Sequence, residues 1–192
     1  DPNDPASMDR ARKVRQALAM TIDREALNDS ILSGLGTVTY AAGIPAEDPI
    51  VQKNLSKWQI PYDPAGARRL LQEAGLGNGF TVDFWVGPSG TSVELGEAIA
   101  AIWDAELKVK TTFDRQNYSS FRPSLIDRTM KVLTLQGGDG GFPATWPKEL
   151  SASAIAYPGG FNRGLEVPLA SETFLKMSTE TDPAKLEQLV TA

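Results

Sequence analysis

The chain has 192 residues and a mass of 20.7 kDa; 41% of its residues are hydrophobic and 22% are charged, which is enough apolar material for a core. Lysine and arginine number 19 against 24 acidic residues, so the net charge is −5 and the balance opposes nucleic acid as a main partner. Cysteine and histidine are absent, which excludes thiol nucleophiles, disulfides, Cys/His zinc sites and histidine-dependent triads.

The residue pattern of the first part of the chain predicts three helices separated by turn residues. Apolar residues recur at helical spacing in each, and an aspartate precedes the second and the third as an N-cap. The predicted helices cover residues 11–22, residues 23–34 and residues 63–75. Residues 35–61 show little periodicity and carry scattered glycines and prolines; a segment of this length is usually functional or holds partial structure.

The centre of the chain alternates between strand and helix patterns. The predicted strands are residues 82–86, 109–113 and 130–135, and the helices between them are residues 95–107 and 118–126, with Pro123 expected to kink or shorten the second. This order favours a largely parallel sheet covered by helices. Further helices are expected from about Leu169 and from Pro183, and no repeat divides the chain, so we expect one α/β domain over residues 1–192.

The glycine-rich turn after the third predicted strand is the best candidate site. Gly137, Gly138, Gly140 and Gly141 surround Asp139, and ligands of open parallel sheets bind outside the carboxyl ends of the strands. Asp139 is suited to bind a ligand ammonium group. The alternative is a loop in which this aspartate only stabilises a turn.

Aromatic residues follow the glycine-rich turn on a proline-rich segment. These side chains could either line an apolar pocket or pack the segment onto the sheet. The nearby Asn162 could either contact a ligand or belong to a solvated loop. The aromatic residues are Phe142, Trp146, Tyr157 and Phe161. No paired carboxylates, serine-lysine dyad, calcium loop or phosphate loop is found, so we expect no catalytic residues, cofactor or metal.

Three ordered motifs resemble family 5 extracellular solute-binding proteins of ABC importers, the dipeptide-, oligopeptide- and nickel-binding group. Residues 14–24, VRQALAMTIDR, are similar to the helix that runs into A-I-D-R in this family. Residues 62–75, YDPAGARRLLQEAG, followed by Gly79-Phe80, match a second motif, and residues 138–143, GDGGFP, are similar to its G-W-x-G-D-x-x-D-P turn. Asn162, Pro168 and residues 181–183 echo the tail of the family pattern.

The resemblance implies a periplasmic-binding-protein-like (type II) lobe with a mainly parallel or mixed sheet. The chain would correspond to the second large lobe, truncated at both ends. By motif position Asp139, beside Gly138, would hold the α-amino group of a peptide ligand. Gln136 stands where the family has tryptophan and Phe142 where it often has aspartate, so the pocket wall is expected to differ.

The function that the resemblance implies is solute binding for an ABC importer. A peptide-like solute would be held between two lobes and delivered to the membrane permease, outside the cytoplasm in the periplasm or at the cell surface. The expected partners are the small-molecule or peptide ligand, the permease and the missing first lobe, without nucleic acid. Two alternatives from the residues are a small acid-dependent hydrolase using Asp139 and a protein-interaction domain.

Overall fold

A computed structural model describes residues 4–40, 45–87, 92–127, 129, 133–135 and 168–191. Within these ranges the helices are α1 (Pro5–Met20), α2 (Arg24–Leu32), α3 (Pro49–Trp58), α4 (Pro64–Glu73), α5 (Ser92–Leu107), α6 (Tyr118–Ile126), α7 (Pro168–Met177) and α8 (Pro183–Thr191). The strands are β1 (Thr81–Val86), β2 (Lys110–Asp114) and β3 (Leu133–Leu135). No helix in the described ranges is both long enough and apolar enough to cross a membrane.

The contacts of the chain divide it into two compact units. The first consists of Asp1–Val38, Ile60–Tyr118 and Lys131–Gly137 and contains the sheet. The second consists of Thr39–Gln59, Ser119–Met130 and Gly138–Ala192. The expectation of one domain over the whole chain stays a prediction.

The sheet is parallel, with β1 between β2 and β3. Phe84 of β1 is opposite Phe113 of β2 on one side and Leu133 of β3 on the other. The strand-helix-strand pattern of the sequence therefore predicted both the strands and their parallel direction correctly. The structure adds the strand order, in which β1 is the central strand.

Aspartate caps explain where several helices begin. Asp23 Oδ1 accepts the amide of Ala26 at 3.0 Å, and Asp63 Oδ1 accepts the amide of Gly66 at 2.8 Å, as the sequence predicted. Asp4 caps α1, which therefore begins six residues before the predicted start at residue 11. Asp48 caps α3, so the segment at residues 35–61 does hold a helix, as long segments of this kind often do.

The core of the first unit lies between β1 and the helices α1, α4 and α5. The ring of Phe84 lies 5.4 Å from the ring of Trp103 and 5.7 Å from that of Phe113, measured between centroids. The indole Nε1 of Trp103 donates to the carbonyl of Leu18 at 3.0 Å, which ties α5 to the end of α1. Further buried members of this core are Ala17, Ala67, Leu71, Val86, Ile99, Leu107 and Val109. Helix α1 thus contributes a buried apolar face to this core, which accounts for the apolar residues at helical spacing in its sequence.

The second unit has its own small apolar cluster. Ile50 and Val51 of α3 are buried, with Trp58 and Val190 packed against them. The ammonium of Lys53 pairs with Glu187 at 2.5 Å, so an ion pair also joins α3 to α8. The long segment before Pro61 is therefore held by contacts with the last described helix, which sequence periodicity alone did not reveal.

A partly exposed ion-pair cluster joins α1 to α4. Lys13 Nζ lies 3.1 Å from Glu73 and 3.3 Å from Asp9, and these partners, Glu73 first, raise the pKa of Lys13 above its ordinary 10.5. Hydrogen bonds from Arg12 and then Lys13 lower the pKa of Asp9 below 3.8. The stabilisation that Lys13 contributes is therefore fully present below pH 10.5 and is lost as the pH rises through its folded-state pKa. The stabilisation that Asp9 contributes is present above pH 3.8 and is lost as the pH falls through its folded-state pKa. Because Asp9 and Glu73 are about half exposed and Lys13 is only partly covered, solvent screens these pairs and the contribution is small.

Replacing Gly79 by alanine is expected to destabilise the chain more than replacing Gly75. Both glycines have positive φ, +82° and +73°, so alanine costs about 1–2 kcal/mol of backbone strain at either position. A Cβ at Gly79 would also lie 2.1 Å from the carbonyl oxygen of Lys108, whereas nothing lies within 4 Å at Gly75. Urea unfolding of Gly79→Ala should show about 1–3 kcal/mol of additional loss. Equal losses for the two variants would contradict the described close approach of Gly79 to the Lys108 backbone.

Candidate functional site

The parallel sheet brings three chain segments to one edge. The strands β1, β2 and β3 run in the same direction, so their carboxyl ends share an edge. The amide of Gly87 donates to the carbonyl of Leu135 at 2.8 Å, which extends the pairing of β1 with β3 one residue past the end of β1. Gly87 is buried and has no side chain. This edge is where open parallel sheets bind ligands, and we call it the carboxyl edge.

Trp85 fixes the turn that follows β2 at the carboxyl edge. Its side chain is 0% exposed, and its indole Nε1 donates to the carbonyl of Gln116 at 3.0 Å. Gln116 in turn donates from its amide to Asp114 Oδ1 at 3.1 Å and from Nε2 to Oδ2 at 2.8 Å. The backbone after β2 is therefore held both by a buried ring and by an aspartate turn.

Arg115 is the first residue after β2, and its guanidinium is held by two contacts. Its guanidinium pairs with Glu97 of α5 at 2.5 Å and lies over the ring of Phe113, 5.5 Å from the centroid. The Arg115 side chain is 57% exposed. A cation that is anchored on two sides and still open to solvent can bind an anionic group with little loss of side-chain freedom.

A separate feature of the first unit is an apolar groove of about 270 Å³. Arg15 contributes the one charged side chain of its lining. The other lining residues are Leu18, Ala19, Ile22, Phe84, Ile99, Trp103, Leu133 and Leu135. Because several of them also form the core, this groove is part of the packing of α1 and α5 over the sheet.

The six site residues predicted from the sequence lie outside the described residues. They are Gln136, Gly138, Asp139, Phe142, Trp146 and Asn162. The structure describes the strand that precedes them, since β3 ends at Leu135 on the carboxyl edge. Their roles in binding therefore stay predictions.

Sequence reasoning did not select Trp85 or the turn from Asp114 to Gln116. The strand alternation around Trp85 marked its neighbours Phe84 and Val86 as the buried face, yet Trp85 is buried on the opposite face. An unbroken apolar triplet at the end of β1, which is typical of strands covered on both faces, is the signal that could have found it.

The sequence model for "Bacterial extracellular solute-binding proteins, family 5 Middle" matches residues 3–151. The chain belongs to this family. The family consists of transport binding proteins and not enzymes, which agrees with the expectation that the chain is not an enzyme. The motifs at residues 14–24 and 62–75, on which the resemblance depended, lie within the matched residues.

Two curated relatives of this family 5 chain carry different binding names. Heme-binding protein A of Haemophilus influenzae is 36% identical over 148 residues, which are 74% of this chain and 26% of that protein. Di/tripeptide-binding protein 3 of Pseudomonas aeruginosa is 26% identical over 140 residues, which are 70% of this chain and 26% of that protein. The chain thus spans about a quarter of the length of the two relatives.

A solved structure confirms the fold class. HbpA2 from Haemophilus parasuis matches with a TM-score of 0.72 at 22% identity, over 99% of this chain and 37% of that chain. At this identity the match shows the fold alone. The predicted periplasmic-binding-protein-like α/β lobe, with a parallel sheet flanked by helices, is confirmed.

Replacing Trp85 by phenylalanine is expected to destabilise the family 5 chain by about 1–3 kcal/mol. The change removes the donor to the Gln116 carbonyl and leaves a gap in a fully buried position. Thermal unfolding followed by circular dichroism measures the loss. Trp58→Phe is the control, because Trp58 is only partly buried and the described part of the chain shows no hydrogen bond from its indole. Equal losses for both variants would contradict the role of the Trp85 hydrogen bond.

Proposed function

We propose that this chain is a solute-binding lobe of an ABC importer and holds a peptide-like solute at the carboxyl edge of its sheet. The observation that carries the proposal is the parallel pairing of β3 with β1, combined with family membership. This pairing brings the end of β3 to the edge where ligands of such sheets bind. Asp139 follows four residues after Leu135, the last residue of β3.

Asp139 supplies the charge that recognises the solute in this proposal. Its carboxylate pairs with the α-amino group of the peptide, and Gly138 allows the backbone to approach closely. Gln136 and Asn162 supply neutral hydrogen-bonding groups, while Phe142 and Trp146 form an apolar wall. The solute class that fits this set is a short peptide with a free amino terminus.

A second lobe completes the binding site. The relatives are about four times longer than the matched region, and closure of two lobes around a solute excludes water and strengthens the ion pair with Asp139. In this account the chain of residues 1–192 is one lobe, the remaining protein supplies the other, and the closed form delivers the solute to a membrane permease. The place of action is the periplasm or the outer face of the cell, as the family description "extracellular" suggests.

Haem is the second candidate solute, because the relative with 36% identity is named a heme-binding protein. This lobe has no histidine and no cysteine, so it cannot ligate the haem iron through an imidazole or a thiolate. In that case the aromatic residues after β3 would contact the porphyrin face instead. The peptide proposal and the haem proposal therefore differ in whether the charge of Asp139 is needed.

Replacing Asp139 by asparagine is expected to weaken binding of trialanine about tenfold, since a charge-assisted hydrogen bond is lost. The affinity of N-acetyl-trialanine, which has no ammonium group, should stay unchanged. Titrations followed by NMR on the isotopically labelled chain measure the weak binding expected of one lobe. Asp104→Asn is the matched control, because Asp104 is an exposed aspartate whose described partner is Lys110.

Three results would contradict these proposals. Equal loss for the free and the acetylated peptide would remove the role of Asp139. Binding of haem but of no peptide would favour the second candidate. Submicromolar binding of any peptide by the single lobe would contradict the two-lobe account, because half of the contact surface would then suffice.

A further inference from the structure

We propose that the apolar groove of the first unit binds a straight-chain carboxylate of medium length, with its alkyl chain on the sheet and its carboxylate on Arg15. The groove lies on a face of the sheet and needs no residue after Leu135, so this inference goes beyond the proposed function. The supporting observations are the chemistry of the lining, the volume of the groove and the contacts that Arg15 lacks.

Three elements of the first unit form the apolar lining. Phe84 of β1 is opposite Leu133 of β3, and Leu135 follows two residues later, so these side chains share one face of the sheet. Ile99 and Trp103 lie one turn apart on α5. The apolar residues contributed by α1 and the turn after it are Leu18, Ala19 and Ile22. The floor and both walls of the groove are therefore apolar.

The groove leaves part of this apolar lining in contact with solvent. Its partly buried members are Ala19, Ile22, Leu133 and Leu135. The indole N–H of Trp103 already donates to the carbonyl of Leu18 at 3.0 Å, so this polar group needs no hydrogen bond from a ligand. Transfer of methylene groups from water onto the lining is then the driving force for binding.

The volume of the groove sets the size of the ligand. It is about 270 Å³, just below the range of about 300–1,000 Å³ that is usual for small-molecule pockets. An apolar cavity of about 150 Å³ accommodates the six carbon atoms of benzene, or about 25 Å³ for each carbon. At that ratio the groove has room for about ten carbon atoms, which is the size of a medium-chain fatty acid.

Arg15 supplies the one charged side chain in the described lining. It lies one turn before Leu18 on α1, and its side chain is exposed. The neighbouring cations Arg12 and Lys13 form ion pairs with acidic residues. The Arg15 side chain has neither an ion pair nor a hydrogen bond among the contacts of the described residues. Because a guanidinium can bind a carboxylate through two parallel N–H donors, the groove suits a ligand with an anionic group at one end only.

Two residues of α1 provide variants that separate charge from shape. Arg12 is an exposed arginine on the same helix and does not line the groove, so Arg12→Gln is the control for Arg15→Gln. Ala19 lines the groove, and Ala19→Met places a longer apolar side chain in the space that the ligand occupies. Methionine is a good helix former, so this variant should keep the fold, which thermal unfolding verifies.

The experiment titrates the isotopically labelled chain with hexanoate, octanoate and octanol and follows binding by NMR. Octanoate should bind about tenfold more tightly than hexanoate, because two more methylene groups are buried. Arg15→Gln should weaken octanoate about threefold and leave octanol unchanged, as expected for one exposed ion pair, and Arg12→Gln should change neither. Ala19→Met should weaken both ligands at least tenfold. The indole signal of Trp103 should shift on binding, whereas that of Trp85 on the opposite face should not.

Several results would overturn this inference. Equal affinities for octanoate and hexanoate would exclude an apolar site, and equal weakening of octanoate and octanol in Arg15→Gln would exclude the contact with the carboxylate. Unchanged binding in a folded Ala19→Met variant would place the ligand elsewhere. Shifts of the Trp103 signal with protein concentration alone would assign the groove to a second copy of the chain.

The same titrations distinguish this inference from the proposed function. Asp139→Asn should leave octanoate binding unchanged, because the groove uses no residue after Leu135. Octanoate binding without peptide binding would support the groove and count against the peptide proposal. Competition between trialanine and octanoate for one site would overturn the inference, because the groove and the carboxyl edge would then not be separate sites.

Discussion

The central position of β1 is the constraint on which the rest of the first unit depends. Its Phe84 contacts Trp103 of α5 and Phe113 of β2, while Trp85 on the opposite face holds the turn after β2 through the Gln116 carbonyl. Parallel neighbours on both sides then fix where β2 and β3 end. A change in the register of this one strand would move every group at the carboxyl edge.

The helices and strands could largely be predicted from local signals in the sequence. Aspartate caps and first-turn prolines marked α2 and α4, and period-two alternation marked β1 and β2. Helix α3 was not predicted, although Asp48 and Pro49 give it the same local start signal that Asp63 and Pro64 give α4. The residues of α8 that pack against it lie more than a hundred residues away in the chain. Trp85 escaped as a site residue because burial on both faces of a strand is set by neighbours that local periodicity does not identify.

The candidate site shows the same division between local and distant information. The glycine-rich segment around Asp139 was predicted as a site from composition and motif, and it lies outside the described residues. Arg115 carries no motif, and its contacts with Glu97 and the Phe113 ring follow from the packing of distant segments.

A crystal structure of the chain grown with a high concentration of trialanine tests the location of the solute most directly. The account predicts the peptide at the carboxyl edge of the sheet, with its ammonium within hydrogen-bond distance of Asp139. Electron density for the peptide at the opposite end of the strands, or in the apolar groove between α1 and α5, would contradict the account.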